Sequence, residues 1–167
     1  NCLMFHIRSA KTADVPAISK IARPLVEKRV LLGKELVESY EGIQEFIVAE
    51  QAGEVIGFGA LHVMWQDLAE VRTLAVADNH RGKGIGQALL KELESRATDL
   101  GIKRVFCLTF EKEFFGANGY QVISDVPVEP EVYAELVRSH DDGVAEFLDL
   151  ARVKQNTLGN SRMLKHL

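Results

Sequence analysis

Apolar side chains recur at spacings of three and four residues along positions 84–99 of this chain. That period places them on one face of an amphipathic helix, a face made by Ile85, Ala88, Leu89, Leu93 and Ala97. A glycine follows at position 101 and predicts the end of the helix, because glycine adopts the left-handed conformation without strain. Residues 70–76, before the helix, form a strand-like run. The pattern therefore predicts a strand, a short connection and a long helix.

Shorter patterns predict the remaining elements. Strands are expected at 5–8, 44–50, 54–65, 67–76, 104–109 and 120–124. Helices are expected from Val15 onward and at 34–40, 112–118 and 132–139, followed by an apolar segment at 144–150, a turn at 156–159 and a last segment at 161–167. Pro24 lies well inside the first helical pattern and is expected to end or kink that helix, because it has no N–H to donate.

The composition is that of one globular domain over residues 1–167. Apolar residues make up 47% and charged residues 26% of the chain, values typical of a protein that buries a core. The net charge of −4 does not favour nucleic acid or an anionic membrane as a partner, and no apolar run is long enough for a membrane span. Cys2 and Cys107 form no disulfide framework, so a reducing cytoplasm is expected. No cluster has metal-ligand spacing, so no metal is expected.

Three alternating glycines, Gly82, Gly84 and Gly86, connect the strand to the long helix, with Arg81 and Lys83 beside them. Glycines allow a tight turn and a close approach to a ligand, and the first N–H groups of a helix have no intrahelical partner. These glycines and free N–H groups, together with the positive end of the helix and the two cations, predict a phosphate or pyrophosphate site. An ordinary glycine-rich turn with solvated cations fits the same pattern. The spacing fits neither the Rossmann fingerprint nor the nucleoside-triphosphate loop.

The loop matches the acetyl-CoA signature Arg/Gln-x-x-Gly-x-Gly/Ala at Arg81, Gly84 and Gly86. With a strand ending in Leu-Ala-Val before it and the long helix after it, the chain resembles the GNAT superfamily of N-acetyltransferases. The resemblance implies an α/β (α+β) fold, a mixed and largely antiparallel sheet with helices on both faces, in which the fourth and fifth strands splay apart. It also implies acetyl-CoA as acetyl donor, bound by Leu74, Ala75, Val76, Arg81, Gly82, Lys83, Gly84, Ile85 and Gly86.

Further segments narrow the resemblance. Together these segments make the chain resemble amino-acid N-acetyltransferases of the N-acetylglutamate synthase type. The segments are Ile7-Arg8, Ile21 to Leu25, Ala69-Glu70, Phe106 to Thr109 and Ser161 to Leu164. The implied reaction is direct transfer of acetyl to the α-amine of L-glutamate in a ternary complex, the first step of arginine biosynthesis. Long members of that family carry an amino-acid-kinase domain. This chain resembles the short, stand-alone form, with residues 127–167 as a C-terminal extension on the substrate side.

Two side chains are candidates for the chemistry. Glu70 aligns with the family's proposed base, and a carboxylate acting through an ordered water can take the proton of an ammonium. The other interpretation of Glu70 is a surface carboxylate or a partner for Arg72. Many superfamily members protonate the leaving thiolate with a tyrosine, but that position is Phe115 here. Thr109 aligns with a hydroxyl that could relay a proton, or is a plain β-branched strand residue.

Backbone and acceptor contacts complete the expected site. Backbone N–H groups near Leu74 and Val76 are expected to polarise the thioester carbonyl. The acceptor is expected to contact Arg23, Arg72, Thr73, Lys112 and Ser161. The arginine that the family places two residues before Ser161 is Gly159 here. Arg72, Lys112 or Arg162 would have to compensate, so L-glutamine remains an alternative acceptor.

Other functions stay open at this point. One is acetylation of another amine, such as a polyamine, an antibiotic or a protein N-terminus, which an acidic substrate cleft would favour, whereas a basic cleft would favour glutamate. Another is a weakly catalytic, regulatory acyl-CoA-binding module. A homodimer is expected from the resemblance, and the final segment could exchange between protomers, since edge strands leave a surface to cover.

Overall fold

The computed structural model describes residues 4–28, 36–149 and 160–167. The strands are β1 (His6–Ser9), β2 (Phe46–Gln51), β3 (Glu54–Trp65), β4 (Leu68–Val76), β5 (Arg104–Thr109), β6 (Gln121–Val122) and β7 (Ser161–His166). The helices are α1 (Val15–Glu27), α2 (Leu36–Glu41), α3 (Ile85–Asp99), α4 (Lys112–Ala117), α5 (Pro130–Leu136) and α6 (Asp142–Phe147).

These strands form one seven-stranded sheet with the order β1-β2-β3-β4-β5-β7-β6. The first four strands pair antiparallel in sequence order, and β4 pairs with β5 in parallel. The last strand, β7, lies antiparallel between β5 and β6. The sheet is therefore mixed and largely antiparallel, which confirms the expected fold class.

Helices cover both faces of the sheet because strand side chains alternate in direction. On one face, α3 inserts Leu89, Leu90 and Leu93, each 0% exposed, against residues of the central strands. On the other face, α1 packs Ile18 against β2 and β3, while α5 and α6 pack against β5 and β7. There the ring of Phe147 in α6 meets that of Phe106 in β5 edge-on, with the centroids 5.1 Å apart.

The parallel strands β4 and β5 pair only where both begin. Leu68 to Glu70 lies opposite Arg104 to Phe106, and no described pairing between them continues beyond that point, although β4 runs on to Val76. The second half of β5 stays paired with β7 as far as Thr109. A gap therefore opens between the two strands, which confirms the predicted splay.

Proline 24 does not end the first helix. Pro24 was expected to end or kink the helix, and of these two alternatives the end is wrong, because α1 runs through Pro24 to Glu27. Ile21, Ala22 and Leu25 pack against the same apolar cluster on both sides of the proline, and this continuous contact holds the helix across the missing hydrogen bond.

The other differences are in the bounds of elements. The first strand lies one residue later than predicted, and the strand predicted at 120–124 shrinks to Gln121–Val122; the N–H of Tyr120 donates to the carbonyl of Phe115 at the end of α4 instead of to a strand. The helix predicted at 132–139 is α5, which begins two residues earlier, and the apolar segment predicted at 144–150 overlaps only the second part of α6, which begins at Asp142. The final segment pairs within its own chain as β7. The turn at 156–159, and residues 34 and 35 of the second helix, lie outside the described residues.

Candidate active site

A cavity of about 690 Å³ occupies the gap between the splayed strands. Its wall consists of the second half of β4, the glycine loop with the first turn of α3, the end of β5, and α4. Leu25 and Lys28 at the end of α1 also line it. All the residues predicted to bind acetyl-CoA lie on this wall except Lys83. The structure thus brings the strand and the loop together around one elongated site.

The glycine loop presents backbone N–H groups. Gly82 and Gly84 both have φ of +79°, and a β-carbon on either would meet nothing within 4 Å, so backbone conformation rather than space requires glycine there. The first helical bond of this region runs from the N–H of Ala88 to the carbonyl of Gly84 at 3.1 Å. The N–H groups of residues 82–87 donate to no acceptor within the described part of the chain.

Positive groups lie beside these amides. Arg81 is exposed on the cavity wall, and Lys28 adds a second cation from α1. His80 also lines the cavity, and its Nδ1 is buried without a hydrogen-bond partner among the described residues. Free N–H groups at a helix start, reinforced by cations, fit the pyrophosphate of a coenzyme A molecule.

A bulge in β4 shapes the wall opposite β5. Gly59 of β3 alone faces both Thr73 and Leu74 of β4, so β4 contains one extra residue. Thr73 has φ of 56°, a strained conformation for a β-branched residue, and its hydroxyl donates to the carbonyl of Arg72 at 2.7 Å. Thr73 and Leu74 would alternate between faces in a regular strand, but here both line the cavity.

The far end of the cavity carries a threonine and no tyrosine hydroxyl. Thr109 is 8% exposed at the end of β5, and its Oγ1 accepts the N–H of Glu111 at 2.7 Å. Phe115 lines the cavity, 5% exposed, with the rings of Phe114 and Tyr120 edge-on to it. The hydroxyl of Tyr120 donates to Glu94 at 2.8 Å, and burial raises its pKa, so it is placed as a core residue.

Glu70 belongs to a buried ionic cluster. Its Oε1 accepts hydrogen bonds from Nε and Nη2 of Arg72 at 2.9 and 2.5 Å, and Arg72 also binds both carboxylate oxygens of Asp141 at 2.9 and 2.7 Å. Burial raises the pKa of Glu70, although Arg72 opposes this. Burial also acts to raise the pKa of Asp141, but the hydrogen bonds and charge of Arg72 lower it to about 2.

Helix α6 covers this cluster. A β-carbon on Gly143 would overlap Oε1 of Glu70 and come within 2.5 Å of Nη2 of Arg72. Asp141 is the N-cap of α6 and accepts the N–H of Val144 at 3.0 Å, so it binds Arg72 and the helix start together. Neither Glu70 nor Arg72 is part of the cavity wall, and the guanidinium of Arg72 is bonded to carboxylates of its own chain.

The remaining predicted acceptor residues are dispersed. Arg23 is exposed on α1 and Lys112 is exposed on α4, and neither lines the cavity. Ser161 is half-buried at the start of β7, directly opposite Thr109 in the β5–β7 register. Arg162 donates to the backbone carbonyls of Asp125, Glu146 and Phe147, so it anchors α6.

Sequence reasoning missed the contribution of residues 141–146. Glu146 is only 6% exposed, and burial together with the charge of Glu70 raises its pKa to about 8. The one available signal was Asp141 three residues before Val144, an N-cap pattern. A glutamate inside the apolar run 144–148 carries no signal of its own, because surface helices also interleave glutamate with apolar residues.

The sheet with splayed strands and the glycine loop with free amides define an acyl-CoA-type acetyltransferase fold and site. Residues 22–120, more than half of the chain, match the Acetyltransferase (GNAT) family. The chain belongs to this family. Among the described residues no group of three or more metal-ligating side chains is present, and none of the described helices has the length and apolar character of a membrane span.

Two relatives carry the same name. The chain is 53% identical over 161 residues to an amino-acid acetyltransferase of Mycobacterium tuberculosis, an alignment that covers 95% of this chain and 92% of that protein. It is 35% identical over 123 residues to an amino-acid acetyltransferase of Neisseria meningitidis, which covers 71% of this chain and 28% of that protein.

Two solved structures resemble the fold closely. Rv2747 from Mycobacterium tuberculosis, in complex with CoA and NLQ, has a TM-score of 0.91 at 51% identity, covering 97% of this chain and 99% of that chain. N-acetylglutamate synthase from Neisseria gonorrhoeae, complexed with coenzyme A and N-acetyl-glutamate, has a TM-score of 0.79 at 25% identity, covering 98% of this chain and 35% of that chain.

Proposed function

We propose that this protein transfers the acetyl group of acetyl-CoA to the α-amine of an amino acid, L-glutamate or L-glutamine. The observation that carries the proposal is the cavity between β4 and β5, which begins at the unpartnered amides of residues 82–87. Similarity to amino-acid acetyltransferases over nearly the whole chain supports the acceptor class. With glutamate as acceptor, the reaction would be the first step of arginine biosynthesis.

Each part of the cavity has a role in this proposal. Acetyl-CoA supplies the acetyl thioester. The amides of residues 82–87 and Arg81 would hold the pyrophosphate, as free helix-start amides do for phosphates. The edge of β4 beyond Glu70 has no described strand partner on the β5 side, so backbone groups near Leu74 and Val76 would orient and polarise the acetyl carbonyl. The hydroxyl of Thr109 would relay a proton to the departing thiolate.

Glu70 is the proposed base. An ammonium has no lone pair, so the acceptor must lose a proton before its nitrogen can attack. Burial raises the pKa of Glu70 and so brings its proton affinity closer to that of an amine. Because Gly143 covers Glu70, we propose that the acceptor proton reaches it through an ordered water or after α6 shifts.

The charge around Arg72 bears on the choice between the two acceptors. Glu70, Asp141 and Glu146 surround this one guanidinium, so the region is acidic rather than basic. A basic cleft would have favoured glutamate. We therefore keep L-glutamine, whose side chain is neutral, as a second acceptor beside L-glutamate. Arg23, exposed on α1, remains the proposed partner for the α-carboxylate.

The test is to follow CoA release with a thiol reagent while glutamate, glutamine, aspartate and a polyamine are offered in parallel. Saturable turnover with glutamate or glutamine supports the proposal and assigns the acceptor. Turnover with the polyamine alone would move the protein to another acceptor class. Silence with all four, despite acetyl-CoA binding, would contradict the proposal and favour a regulatory acyl-CoA-binding module.

A matched pair of variants locates the acceptor. Arg23→Ala is expected to raise the KM for the amino acid about tenfold, because a lost charge-assisted hydrogen bond costs about 1.5–3 kcal/mol. The KM for acetyl-CoA should not change. Lys20→Ala, another exposed cation of α1, is the control and should leave both values unchanged.

A further inference from the structure

Helix α6 carries a buried carboxyl group that its surroundings do not satisfy. Glu146 is 6% exposed, and its Oε1 has no hydrogen-bond partner among the described residues. Buried polar atoms are almost always hydrogen-bonded, because an unsatisfied one costs its full desolvation energy. A glutamate kept in such a place costs stability, which makes it a candidate for a functional role.

The geometry of α6 directs this carboxyl toward the ionic cluster. Gly143 packs directly on Glu70 and Arg72, and Glu146 follows three residues later, on the same side of the helix. The helix is held at both ends. Asp141 caps its start while bonded to Arg72, and Arg162 of β7 donates to the carbonyl of Glu146 at 3.2 Å. The helix that carries Glu146 is therefore held against Glu70 and Arg72, with Glu146 on the side of the helix that faces them.

The charged groups that face Glu146 come from three elements. Glu70 and Arg72 face it from β4, Asp141 and Asp142 from the start of α6, and Arg162 lies behind its backbone on β7. Burial is the largest cause that raises the pKa of Glu146 to about 8, and the charge of Glu70 is the next. Because charge coupling is mutual, an ionised Glu146 raises the proton affinity of Glu70 in return.

We propose that Glu146 is a positioning residue for acceptor deprotonation, setting the proton affinity of Glu70 through its own charge. The inference rests on the proposed function. With Glu146 neutral, the charge and hydrogen bonds of Arg72 oppose the effect of burial on Glu70, and Glu70 is the weaker base. With Glu146 ionised, a third negative charge joins those of Glu70 and Asp141 around one guanidinium, and Glu70 becomes a stronger base. The acceptor N–H bond then breaks, the proton passes to Glu70, and the electron pair remains on nitrogen for attack on the acetyl carbonyl.

The experiment is the pH dependence of kcat/KM for the amino acid between pH 6 and 10, in the wild type, Glu146→Gln and Glu146→Asp. The wild type should gain activity as the pH rises through about 8, in addition to the titration of the acceptor itself. Glu146→Gln should not show this rise near pH 8, and its kcat/KM should be about tenfold lower than that of the wild type at pH 9, as expected for a base weakened by about one pKa unit. Glu146→Asp should retain part of it, and the KM for acetyl-CoA should not change.

Controls separate the possible failures. Glu135→Gln, an exposed glutamate of α5 with 52% side-chain exposure, should match the wild type throughout. A Glu146→Gln profile that superimposes on the wild type would overturn the inference while the proposed function stands. A wild type that is silent with every acceptor would overturn both.

A second measurement applies if Glu146→Gln does not fold. In the wild type with ¹³C-labelled glutamate, NMR should show a carboxyl titrating near pH 8 that is absent in Glu146→Asp. No carboxyl titrating above pH 7 would overturn the inference.

Discussion

Gly143 and Glu70 lie so close together that no side chain fits between them. A β-carbon at position 143 would overlap Oε1 of Glu70, and Nη2 of Arg72 would be 2.5 Å away. The atoms that would have to move are the ends of two side chains already fixed by hydrogen bonds to each other and to Asp141. The contact between α6 and the proposed base therefore depends on a glycine.

Gly143→Ala should separate α6 from the ionic cluster. Overpacking of this kind costs about 1–3 kcal/mol of unfolding free energy, and we expect the displaced Glu70 to lower kcat about tenfold or more. Urea unfolding and steady-state kinetics measure the two effects. Gly116→Ala is the matched control: a β-carbon there meets nothing within 4 Å, so helix propensity alone should raise stability by about 0.5–1 kcal/mol. Equal behaviour of the two variants would contradict this account of Gly143.

Glu146 should make the stability of the protein fall as the pH rises. Its folded-state pKa of about 8 lies above the ordinary value of 4.5, so between these values the folded state binds more protons than the unfolded state. The contribution of Glu146 to the free energy of unfolding is therefore greatest below pH 4.5. It decreases by up to about 1.4 kcal/mol per pH unit as the pH rises from 4.5 toward 8. Urea unfolding at pH 5.5, 7 and 8.5 should show a shallower decline in Glu146→Gln than in the wild type. The same slope in both proteins would mean that Glu146 is ionised throughout.

Local pattern was enough to predict the helix and the strand that flank the proposed coenzyme site. The long helix follows from its apolar period, and its start from glycines that alone take positive φ without strain, so α3 appears within one residue of the prediction. The strand before it was also expected, at 67–76, and it is β4, Leu68–Val76.

The arrangement around Arg72 and Thr73, the proposed acceptor side, could not be predicted, because residues distant in sequence build it. Arg72 meets Asp141 across 69 positions of sequence, and no periodicity records that pairing. The position of Thr73 at a bulge depends on Gly59 of the neighbouring strand, a register detail that strand propensity does not contain. Propensity also could not show that α1 continues past Pro24, where packing against the sheet outweighs one lost backbone bond.

Cys107 should be inert toward thiol reagents in the folded protein. It lines the cavity but is only 1% exposed, and burial raises its pKa well above the ordinary value, so the reactive thiolate is scarce. With Cys2 replaced by serine, a chromogenic disulfide reagent should report no thiol in the native protein and one in urea. Rapid reaction of the native protein would show that the cavity opens to the back of β5. Protection by added coenzyme A would then place that opening inside the binding site.

The two glycines at the start of α3 should respond oppositely to alanine. Gly84 has φ of +79°, so Gly84→Ala places a side chain in the left-handed region at a cost of about 1–2 kcal/mol and distorts the amides that face the cavity. Its affinity for coenzyme A should fall about tenfold or more, as for a lost charge-assisted hydrogen bond.

Gly86 lies inside the helix, where a β-carbon would be at an ordinary 3.7 Å from the ring of Phe114. Gly86→Ala should keep coenzyme A affinity and gain about 0.5–1 kcal/mol of stability. Calorimetric titration with coenzyme A and urea unfolding of both variants check the contrast, and equal losses of affinity would show that space rather than backbone conformation governs this loop.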